Sequence, residues 1–325
     1  MTPTCPAPSG VALLSLPMKI LITGGAGFIG SHLVEHFQGV ASEIVVLDNL
    51  RSGYLHNLKG LEHTYVQGCI TDRALVDSLM PGTDAVFHLA AMVSAPESMA
   101  NPIECARINI TGLLNVMESA AQHKVRKFIH ASSAAIYGDN PVVPKIESML
   151  PEPKSPYAIT KLDGEYYLNM FHREGRIQTA SLRFFNVFGP RQDPNSAYAA
   201  AVPIFIQKAL AGEPITIYGD GEQTRDFISV KDVVAALNHA ATSPNMHGTY
   251  NVGYGNSMTI NQLAKEIIRL TGSSSQISYA PDRPGDVKHS RANIDRLSAS
   301  GWKPSTTLTE ALALTLRSTD IPVRN

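Results

Sequence analysis

The chain has 325 residues, of which 44% are hydrophobic, and this is enough for two substantial domains or one large elaborated domain around a sizeable core. Its 27 basic and 28 acidic side chains are mixed along the sequence and leave a net charge of -1, which excludes an extended basic face for nucleic acid or anionic lipid. Three widely spaced cysteines without a Cys-x-x-Cys pair argue against a structural metal, and no apolar run reaches the roughly 18 residues that span a bilayer, so we expect a cytoplasmic protein with a small-molecule partner.

The first part of the chain alternates between apolar runs of strand character and runs with helical spacing. Residues 1–17 are rich in proline and small residues, and we expect them to form a loose extension. A strand at 18–24, a helix at 30–37 and a strand at 43–48 then predict a βαβ unit. The alternation continues with predicted strands at 63–70, 85–91, 127–133 and 179–187 and predicted helices at 103–122 and 156–173. An α/β fold with a doubly wound parallel sheet is therefore predicted.

After residue 189 the pattern changes to shorter elements, which predicts a smaller C-terminal α/β domain. Thr259 and Gln262 have the spacing of a capping box at the start of a helix. The other predicted elements are helices ending at 211 and spanning 231–241 and 307–316, and strands at 215–218, 225–230, 249–253 and 276–280. We predict two tightly joined domains at 18–189 and 190–325, with interleaved segments.

Glycines recur at every third position between the first predicted strand and helix. Without side chains, Gly24, Gly27 and Gly30 allow the backbone to approach a pyrophosphate, whose charge meets the helix N-terminus. Asp48 ends the second predicted strand, where its carboxylate can accept both hydroxyls of an adenosine ribose and would repel a 2′-phosphate. The pattern predicts a Rossmann-type dinucleotide-binding domain and favours NAD over NADP.

A Tyr-x-x-x-Lys motif and a serine point to acid–base chemistry beside that dinucleotide. Tyr157 and Lys161 share one face of the predicted helix, because positions i and i+4 are neighbours. A free tyrosine has a pKa of about 10, so a base near neutral pH needs a drop of roughly 3 units, or about 4 kcal/mol, which a lysine and a cationic cofactor ring can supply. Ser133 ends the fifth predicted strand, at the sheet edge where a hydroxyl can meet a substrate hydroxyl.

These motifs, with Asp48-Asn49, His88-Leu89-Ala90-Ala91 and Phe185-Asn186, resemble the extended short-chain dehydrogenase/reductase family from residue 18 onward. Three further runs, at 186–194, 219–227 and 283–286, are similar to the nucleotide-sugar 4-epimerases of that family. The resemblance implies bound NAD, a UDP-sugar substrate, and transient oxidation at C4 to a 4-keto sugar that is reduced again on its other face. It also implies a homodimer formed through the helices at 103–122 and 156–173.

The resemblance implies three sets of site residues. Tyr157, as phenolate, takes the 4-hydroxyl proton directly or through Ser133, while Lys161 lowers the tyrosine pKa and holds the nicotinamide ribose. The residues implied to bind NAD are Gly24, Gly27, Phe28, Ile29, Gly30, Asp48, Asn49, Leu89, Ala90, Ala91, Asn109, Tyr157 and Lys161. The residues implied to bind the UDP-sugar are Ser94, Ser133, Asn186, Ala200, Tyr218, Arg225, Arg283, Asp286 and Ser290, with both arginines at the diphosphate.

Two positions depart from the family's pattern. The family often places an acid for the adenine amino group after the glycine of the third strand, but Cys69 and Ile70 follow Gly68 here. Val93 stands where the hexose-specific branch has a lysine just past the Ala-Ala pair. Retention of NAD by these two side chains is therefore not expected, and backbone contacts could compensate.

The identity of the sugar is predicted from Ser290, which lies seven residues beyond Arg283 at the position of a gate beside the C2 substituent. A tyrosine there resembles enzymes restricted to plain hexoses, whereas a serine leaves room for an N-acetyl group. The run at 191–200 also resembles bacterial epimerases that act on UDP-N-acetylhexosamines and their uronic acids in polysaccharide pathways. The alternative is that Ser290 is merely small and UDP-glucose is the main substrate.

Two rival functions remain open from the sequence. A nucleotide-sugar dehydratase or decarboxylase of the same family typically has an acid within two positions of the catalytic serine or threonine, but Ala134 and Ala135 follow Ser133. A non-catalytic NAD-sensing regulator would be expected to have lost the tyrosine, and Tyr157 is present. The sequence therefore favours a 4-epimerase over both rivals.

Overall fold

Seven parallel strands form the central sheet of the protein, seen in a computed structural model that describes residues 18–194, 200–282 and 287–318. All strands of the described residues, inside and outside this sheet, are in chain order β1 (Lys19–Thr23), β2 (Glu43–Asp48), β3 (Thr64–Gln67), β4 (Ala85–His88), β5 (Lys127–Ser133), β6 (Gln178–Phe184), β7 (Asn186–Phe188), β8 (Ile215–Tyr218), β9 (Thr224–Arg225), β10 (Phe227–Ser229), β11 (Gly248–Val252), β12 (Met258–Thr259) and β13 (Ile277–Ala280). The spatial order of the central sheet is β11-β6-β5-β4-β1-β2-β3. The chain thus reverses direction across the sheet between β1 and β4, where open α/β sheets bind their ligands.

Helices cover both faces of this sheet, as the doubly wound prediction requires. The helices are α1 (Phe28–His36), α2 (Arg73–Leu79), α3 (Ala95–Ala100), α4 (Pro102–Ala106), α5 (Leu113–Gln122), α6 (Pro156–Arg173), α7 (Ala201–Ala211), α8 (Val230–Thr242), α9 (Ile260–Thr271), α10 (Asp295–Ala299) and α11 (Leu308–Arg317). Ile20 and Ile22 of β1 pack into one apolar layer, and Leu21 between them packs into the opposite layer. Both faces are buried, and this explains why the strands read as continuous apolar runs.

Two predicted elements of the first domain are divided in the structure. The helix predicted at 103–122 contains a wide turn at Arg107–Gly112, between α4 and α5. The strand predicted at 179–187 ends at Phe184, and the next amide, that of Phe185, still donates to the Val252 carbonyl of the neighbouring β11 at 3.0 Å. The chain then leaves the central sheet and forms β7, which pairs with β10.

Outside the central sheet, the described residues form three two-stranded sheets, β10-β7, β12-β9 and β13-β8, beside an apolar cluster built around α7, α9 and α11. The strand predicted at 225–230 is divided into β9 and β10 at Asp226. The Thr259–Gln262 capping box is present at the start of α9. Strand β11, which falls in the range predicted for the second domain, joins the central sheet next to β6. The division into two domains stays a prediction.

Within residues 18–194, 200–282 and 287–318, none of the helices combines the length and apolar character that a bilayer crossing requires.

Candidate active site

The glycine turn between β1 and α1 is shaped by contacts that leave no room for side chains. Gly24 has a φ of +74°, and a Cβ on it would lie 2.8 Å from the Ala90 nitrogen. A Cβ on Gly30 would lie 2.2 Å from the Gly24 carbonyl oxygen. The helix therefore starts directly against the turn, with Gly27 as an N-cap that makes no side-chain hydrogen bond. Such an uncapped N-terminus suits the negative charge of a pyrophosphate.

Asp48 ends β2 beside this turn. Its two carboxylate oxygens accept hydrogen bonds from the amides of Ala26 (2.9 Å) and Leu50 (2.8 Å). Burial raises the pKa of this carboxyl, and the two backbone bonds oppose the rise. A carboxylate has about four acceptor sites, so capacity remains for the two hydroxyls of a ribose. The neighbouring Asn49 side chain instead accepts the Arg51 amide at 3.1 Å.

Asn57, which was not predicted, stabilises the same turn from the other side. Its Nδ2 donates to the Ala26 carbonyl at 2.9 Å, and the Tyr54 amide donates to that carbonyl at 3.0 Å. The Ala26 peptide is therefore held at its nitrogen by Asp48 and at its oxygen by the loop after β2. Nothing in the sequence separates Asn57 from an ordinary loop asparagine.

The second cofactor loop follows β4. Its start is fixed by Thr23, whose carbonyl accepts the Leu89 amide (3.1 Å) and whose Oγ1 accepts the Ala90 amide (3.3 Å). Asn109 holds the end of the loop, because its Oδ1 accepts the Met92 amide (2.7 Å) and its Nδ2 donates to the Met92 carbonyl (3.0 Å). The structure thus gives Asn109 a role in positioning the loop, and direct contact with NAD remains a prediction.

Tyr157 lies in the first turn of α6, where its position is set by two serines. Ser155 caps the helix by accepting the Ala158 amide at 3.2 Å. Ser98 of α3 accepts the Tyr157 amide at 3.1 Å, a contact that the sequence did not predict. Ser133, at the end of β5, lies close enough to the Tyr157 phenol to lower its pKa. The predicted serine and tyrosine are therefore neighbours.

Lys161 lies below the tyrosine and is fixed to the strand that carries Ser133. Its Nζ donates to the Ala131 carbonyl at 2.7 Å and lies 5.9 Å from the centroid of the Tyr157 ring. Burial lowers the lysine pKa to about 8, so the side chain is charged at neutral pH.

The lysine alone does not produce the predicted drop in the tyrosine pKa. Burial outweighs the effect of Ser133 and raises the pKa of Tyr157 above its usual value. The role of Lys161 in depressing it stays a prediction, and it was made for the lysine together with the positive ring of an oxidised nicotinamide.

Two buried histidines next to Lys161 stay neutral. His88 and His130 stack with their ring centroids 5.8 Å apart. Burial, followed by the charge of Lys161, lowers the pKa of His88 to about 3 and that of His130 far below its usual value. They therefore add no positive charge that would compete with the lysine.

On the sugar side, the structure brings Arg225 and Ser290 together at β9. The Thr224 carbonyl accepts the Ser290 amide at 3.1 Å and Nη1 of Arg225 at 3.0 Å. Thr224 also accepts a hydrogen bond from, or donates one to, the ring of His289, with 3.1 Å between Oγ1 and Nδ1. The residues predicted for the diphosphate and for the gate are thus neighbours.

Asp226, which was not predicted as a site residue, connects three segments at this point. Its carbonyl accepts the backbone amide and Nδ2 of Asn186, both at 3.1 Å. Its carboxylate accepts the amides of Tyr254 (2.7 Å), Gly255 (3.1 Å) and Ala292 (2.9 Å). The side chain is fully buried, and burial raises its pKa to about 6.

The other predicted substrate residues are less closely connected to this cluster. Ser94 caps α3 by accepting the Glu97 amide at 3.0 Å, Ala200 is the exposed residue before α7, and Tyr218 ends β8. Arg283 and Asp286 lie outside the described residues, as does part of the run at 191–200. The roles of all five remain predictions.

The loop at 190–193, which follows the last residue of the first predicted domain, is attached to α1 and to the segment after β2. His32 Nε2 lies 2.9 Å from the Pro190 carbonyl oxygen, and the Tyr54 hydroxyl donates to Asp193 at 2.7 Å. Arg191 forms an ion pair with Glu35. The two departures from the family's pattern remain: Cys69 is half-buried and Val93 is exposed.

Comparison with known proteins agrees with this geometry. The model of the NAD dependent epimerase/dehydratase family matches residues 20–253. A UDP-glucose 4-epimerase from Mycolicibacterium smegmatis is 37% identical over 306 residues, which cover 92% of this chain and 97% of the relative.

Two solved structures have the same fold over nearly their full length. A UDP-N-acetylglucosamine 4-epimerase from Methanobrevibacter ruminantium M1, in complex with UDP-N-acetylmuramic acid, is 41% identical with a TM-score of 0.90, covering 93% of this chain and 97% of that one. The UDP-glucose 4-epimerase of Thermus thermophilus, in complex with NAD, is 36% identical with a TM-score of 0.84, covering 93% and 98%. The chain therefore belongs to the NAD dependent epimerase/dehydratase family, and its cofactor is NAD.

Proposed function

We propose that the protein is an NAD-dependent 4-epimerase of UDP-sugars. The observation that carries the proposal is that Lys161 is bonded to the end of the strand that carries Ser133 and lies 5.9 Å from the Tyr157 ring, at the sheet edge where the glycine turn opens. The similarity to proteins named UDP-glucose 4-epimerase and UDP-N-acetylglucosamine 4-epimerase supports the same reaction.

In this reaction Tyr157 removes the proton of the 4-hydroxyl, directly or through the hydroxyl of Ser133, and later returns it. Bound NAD⁺ supplies the reversible oxidant for C4 and the positive ring that favours the phenolate. Lys161 adds its own charge to that stabilisation. Arg225 holds the diphosphate, and the ketose turns about this anchor so that C4 takes the hydride back on its other face while Tyr157 returns the proton to the 4-oxygen.

Epimerisation is favoured over dehydration by the residues after Ser133. Ala134 and Ala135 form a short 3₁₀ turn, the first half-buried and the second exposed. Neither can donate or accept the proton that loss of water at C5 and C6 requires. A 4-keto intermediate formed here therefore has reduction at C4 as its available fate.

We further propose NAD over NADP, because a 2′-phosphate would meet the Asp48 carboxylate. That side chain is already hydrogen-bonded to the turn and cannot easily move away. Dissociation constants for the two cofactors test this, and tighter binding of NADP would contradict it.

For the sugar, we propose UDP-N-acetylglucosamine and UDP-N-acetylgalactosamine, or their uronic acids, together with UDP-glucose and UDP-galactose. Ser290 is half-buried beside Arg225, where a small side chain leaves space next to the C2 substituent. The relatives include proteins named for both kinds of sugar, which supports a site that accepts both.

A homodimer is proposed from a set of exposed apolar side chains on the two helices predicted to pair. Ile103 at the start of α4 is 84% exposed, and Tyr166 and Met170 on α6 are 60% and 43% exposed. A second copy that packed helix against helix would cover them. Sedimentation should give a dimer and Tyr166→Lys a monomer; a monomeric parent protein would contradict the proposal.

The reaction is tested by incubating the protein with a panel of UDP-sugars and separating the C4 epimers. Tyr157→Phe should lower turnover by about 10²–10⁴-fold, because it removes the general base, while the bound NAD content stays unchanged. The matched control is Tyr166→Phe, which removes a tyrosine hydroxyl from the exposed face of the same helix. Tyr166→Lys cannot serve as this control because it is meant to break the dimer. Near-normal turnover of Tyr157→Phe would refute the assignment, and NAD binding without turnover of any sugar would favour a regulator.

A further inference from the structure

A buried ion pair lies directly behind the catalytic serine. Arg183 of β6 donates to both oxygens of Glu165 on α6, through Nε at 2.9 Å and Nη2 at 2.6 Å, and each side chain is only 5% exposed. Ser132, the residue before Ser133, donates to the same carboxylate at 2.5 Å. Glu165 is one helical turn beyond Lys161. The pair therefore contacts both elements that carry the catalytic residues.

The network continues away from the catalytic residues through a tyrosine and an asparagine. Nη1 of Arg183 donates to the Tyr137 hydroxyl at 2.8 Å, and that hydroxyl donates to Asn251 Oδ1 at 2.7 Å. Tyr137 closes the 3₁₀ turn that starts after Ser133, so its ring and the serine belong to one short segment.

At its far end the network reaches the segment that carries the proposed gate. Asn251 Nδ2 donates to the carbonyls of Lys145 (2.9 Å) and Asn293 (3.2 Å). The backbones of 145 and 291–293 are joined by two further bonds, from the Lys145 amide to the Arg291 carbonyl (2.7 Å) and from the Asn293 amide to the Lys145 carbonyl (2.8 Å). Asn293 lies three residues after Ser290.

We propose that Glu165, Arg183, Tyr137 and Asn251 are positioning residues that fix Ser133 relative to the sugar-facing segment at 290–293. The inference rests on the proposed epimerase function. The ketose must leave and re-enter a reactive pose within one turnover. The rate therefore depends on the position of Ser133, at one end of this network, relative to the sugar-facing segment at the other end. A displacement of about 1 Å at a reacting centre can cost about 10²-fold in rate.

A purely structural role is the competing explanation. Buried ion pairs are weak evidence for stability, because the desolvation of both charges opposes their attraction. The two roles differ in what they affect: a structural network changes the unfolding temperature, whereas a positioning network also changes kcat in the folded enzyme.

Tyr137→Phe is the sharpest test, because it removes one hydroxyl that makes two bonds of the network and leaves the ring in place. We expect kcat for UDP-sugar epimerisation to fall by about 10-fold or more, with the dissociation constant for UDP changed by less than about 2-fold, since Arg225 is untouched. The ratio of kcat/KM for N-acetylated and plain sugars should also change, because the gate segment loses its fixed position.

Thr179→Val is the matched control. Thr179 lies on the same strand as Arg183, and its buried hydroxyl donates to the Leu168 carbonyl of α6 at 2.9 Å, away from the network. It should lower the unfolding temperature comparably and leave kcat and sugar preference unchanged. If Tyr137→Phe does not fold, Arg183→Lys replaces it, since a lysine keeps the charge but cannot bridge Glu165 and Tyr137.

The outcomes separate this inference from the proposed function. A wild-type protein that forms no C4 epimer from any UDP-sugar refutes the proposed function and this inference with it. An active wild type, with a folded Tyr137→Phe that keeps the kcat and sugar preference of Thr179→Val, refutes the positioning role alone.

Discussion

The cofactor side of the site is built from the ends of neighbouring strands in one sheet, whereas the sugar side is assembled from short segments that meet at Asp226. On the first side, the turn after β1 is bonded to Asp48 at the end of the adjacent β2. On the second, Asn186, Tyr254 and Ala292 reach one aspartate from segments 28 to 66 residues away along the chain. The predicted cofactor side therefore depends on the ends of paired strands in one sheet, and the predicted sugar side on backbone contacts among short segments.

The largest effect is expected where the backbone shape itself is changed. Gly30→Ala places a methyl group 2.2 Å from the Gly24 carbonyl oxygen, a distance that forces the turn and α1 apart. NAD binding should be abolished, and with it all turnover, while UDP still binds on the sugar side. Cofactor content of the purified protein and calorimetric titration with UDP measure the two results.

Two control variants sharpen this test. Gly27→Ala is a graded comparison, since its Cβ would lie 3.2 Å from the same oxygen and should weaken NAD binding only partly. Gly60 has a φ of +79° with no atom near its Cβ position, so Gly60→Ala should cost about 1 kcal/mol of stability and leave NAD bound. Equal NAD content in Gly30→Ala and Gly60→Ala would break the comparison.

A smaller effect is expected for Lys161→Met, which should lower turnover and raise stability. Turnover should fall by about 10²-fold or more, because the phenolate loses its neighbouring charge. The free energy of unfolding at pH 7 should be about 2 kcal/mol higher in the variant than in the wild type. Burial lowers the lysine pKa from 10.5 to about 8, which costs the wild type about 3 kcal/mol, and the variant loses about 1 kcal/mol with the bond to Ala131.

The lowered pKa of Lys161 also makes the stability of the protein depend on pH, and this can be measured. Between pH 8 and 10.5 the unfolded chain holds the lysine proton and the folded chain does not, so wild-type stability rises with pH in this window. The advantage of Lys161→Met in urea unfolding should be complete below about pH 8 and should shrink towards pH 10.5.

Lys127→Met is the matched control for Lys161→Met. Lys127 is the first residue of β5, the strand to which Lys161 is bonded. It donates to the Met246 carbonyl at 2.5 Å, and burial lowers its pKa to about 8. Its replacement should change stability in the same way and leave turnover intact. A Lys161→Met protein that retains the turnover of Lys127→Met would contradict the role given to Lys161.

The smallest effect is expected on the sugar side, for Ser290→Tyr. The backbone bond of Ser290 to Thr224 is kept, and only the space beside C2 is filled. Turnover of UDP-N-acetylglucosamine should fall by about 10-fold or more, and turnover of UDP-glucose should stay within about 2-fold, as for a steric change in a pocket. Ser290→Thr is the control. Equal loss for both sugars would count against the gate.

The same contrast explains what the sequence could predict. The glycine turn, Asp48 and the Tyr157–Lys161 pair lie in elements whose predicted order and type the structure confirms, so their meeting at one sheet edge followed from parallel topology. Asp226, Ser98 and Asn57 were missed, because each acts through a backbone group of a residue far along the chain. The raised pKa of Tyr157 was missed because it depends on burial, which a motif does not report.

Successive residues at the end of β5 perform separate tasks: Ala131 receives the lysine, Ser132 bonds Glu165, and Ser133 meets the tyrosine. The strand is paired so that Ser132 faces Arg183 and Ser133 faces Phe184. A slip of one residue that moved Ser133 into the place of Ser132 would bring Ala134 into the place of Ser133, and a protein of unchanged composition would then present its reactive hydroxyl to Glu165. The chemistry thus depends on the pairing register of the strand as much as on its residues.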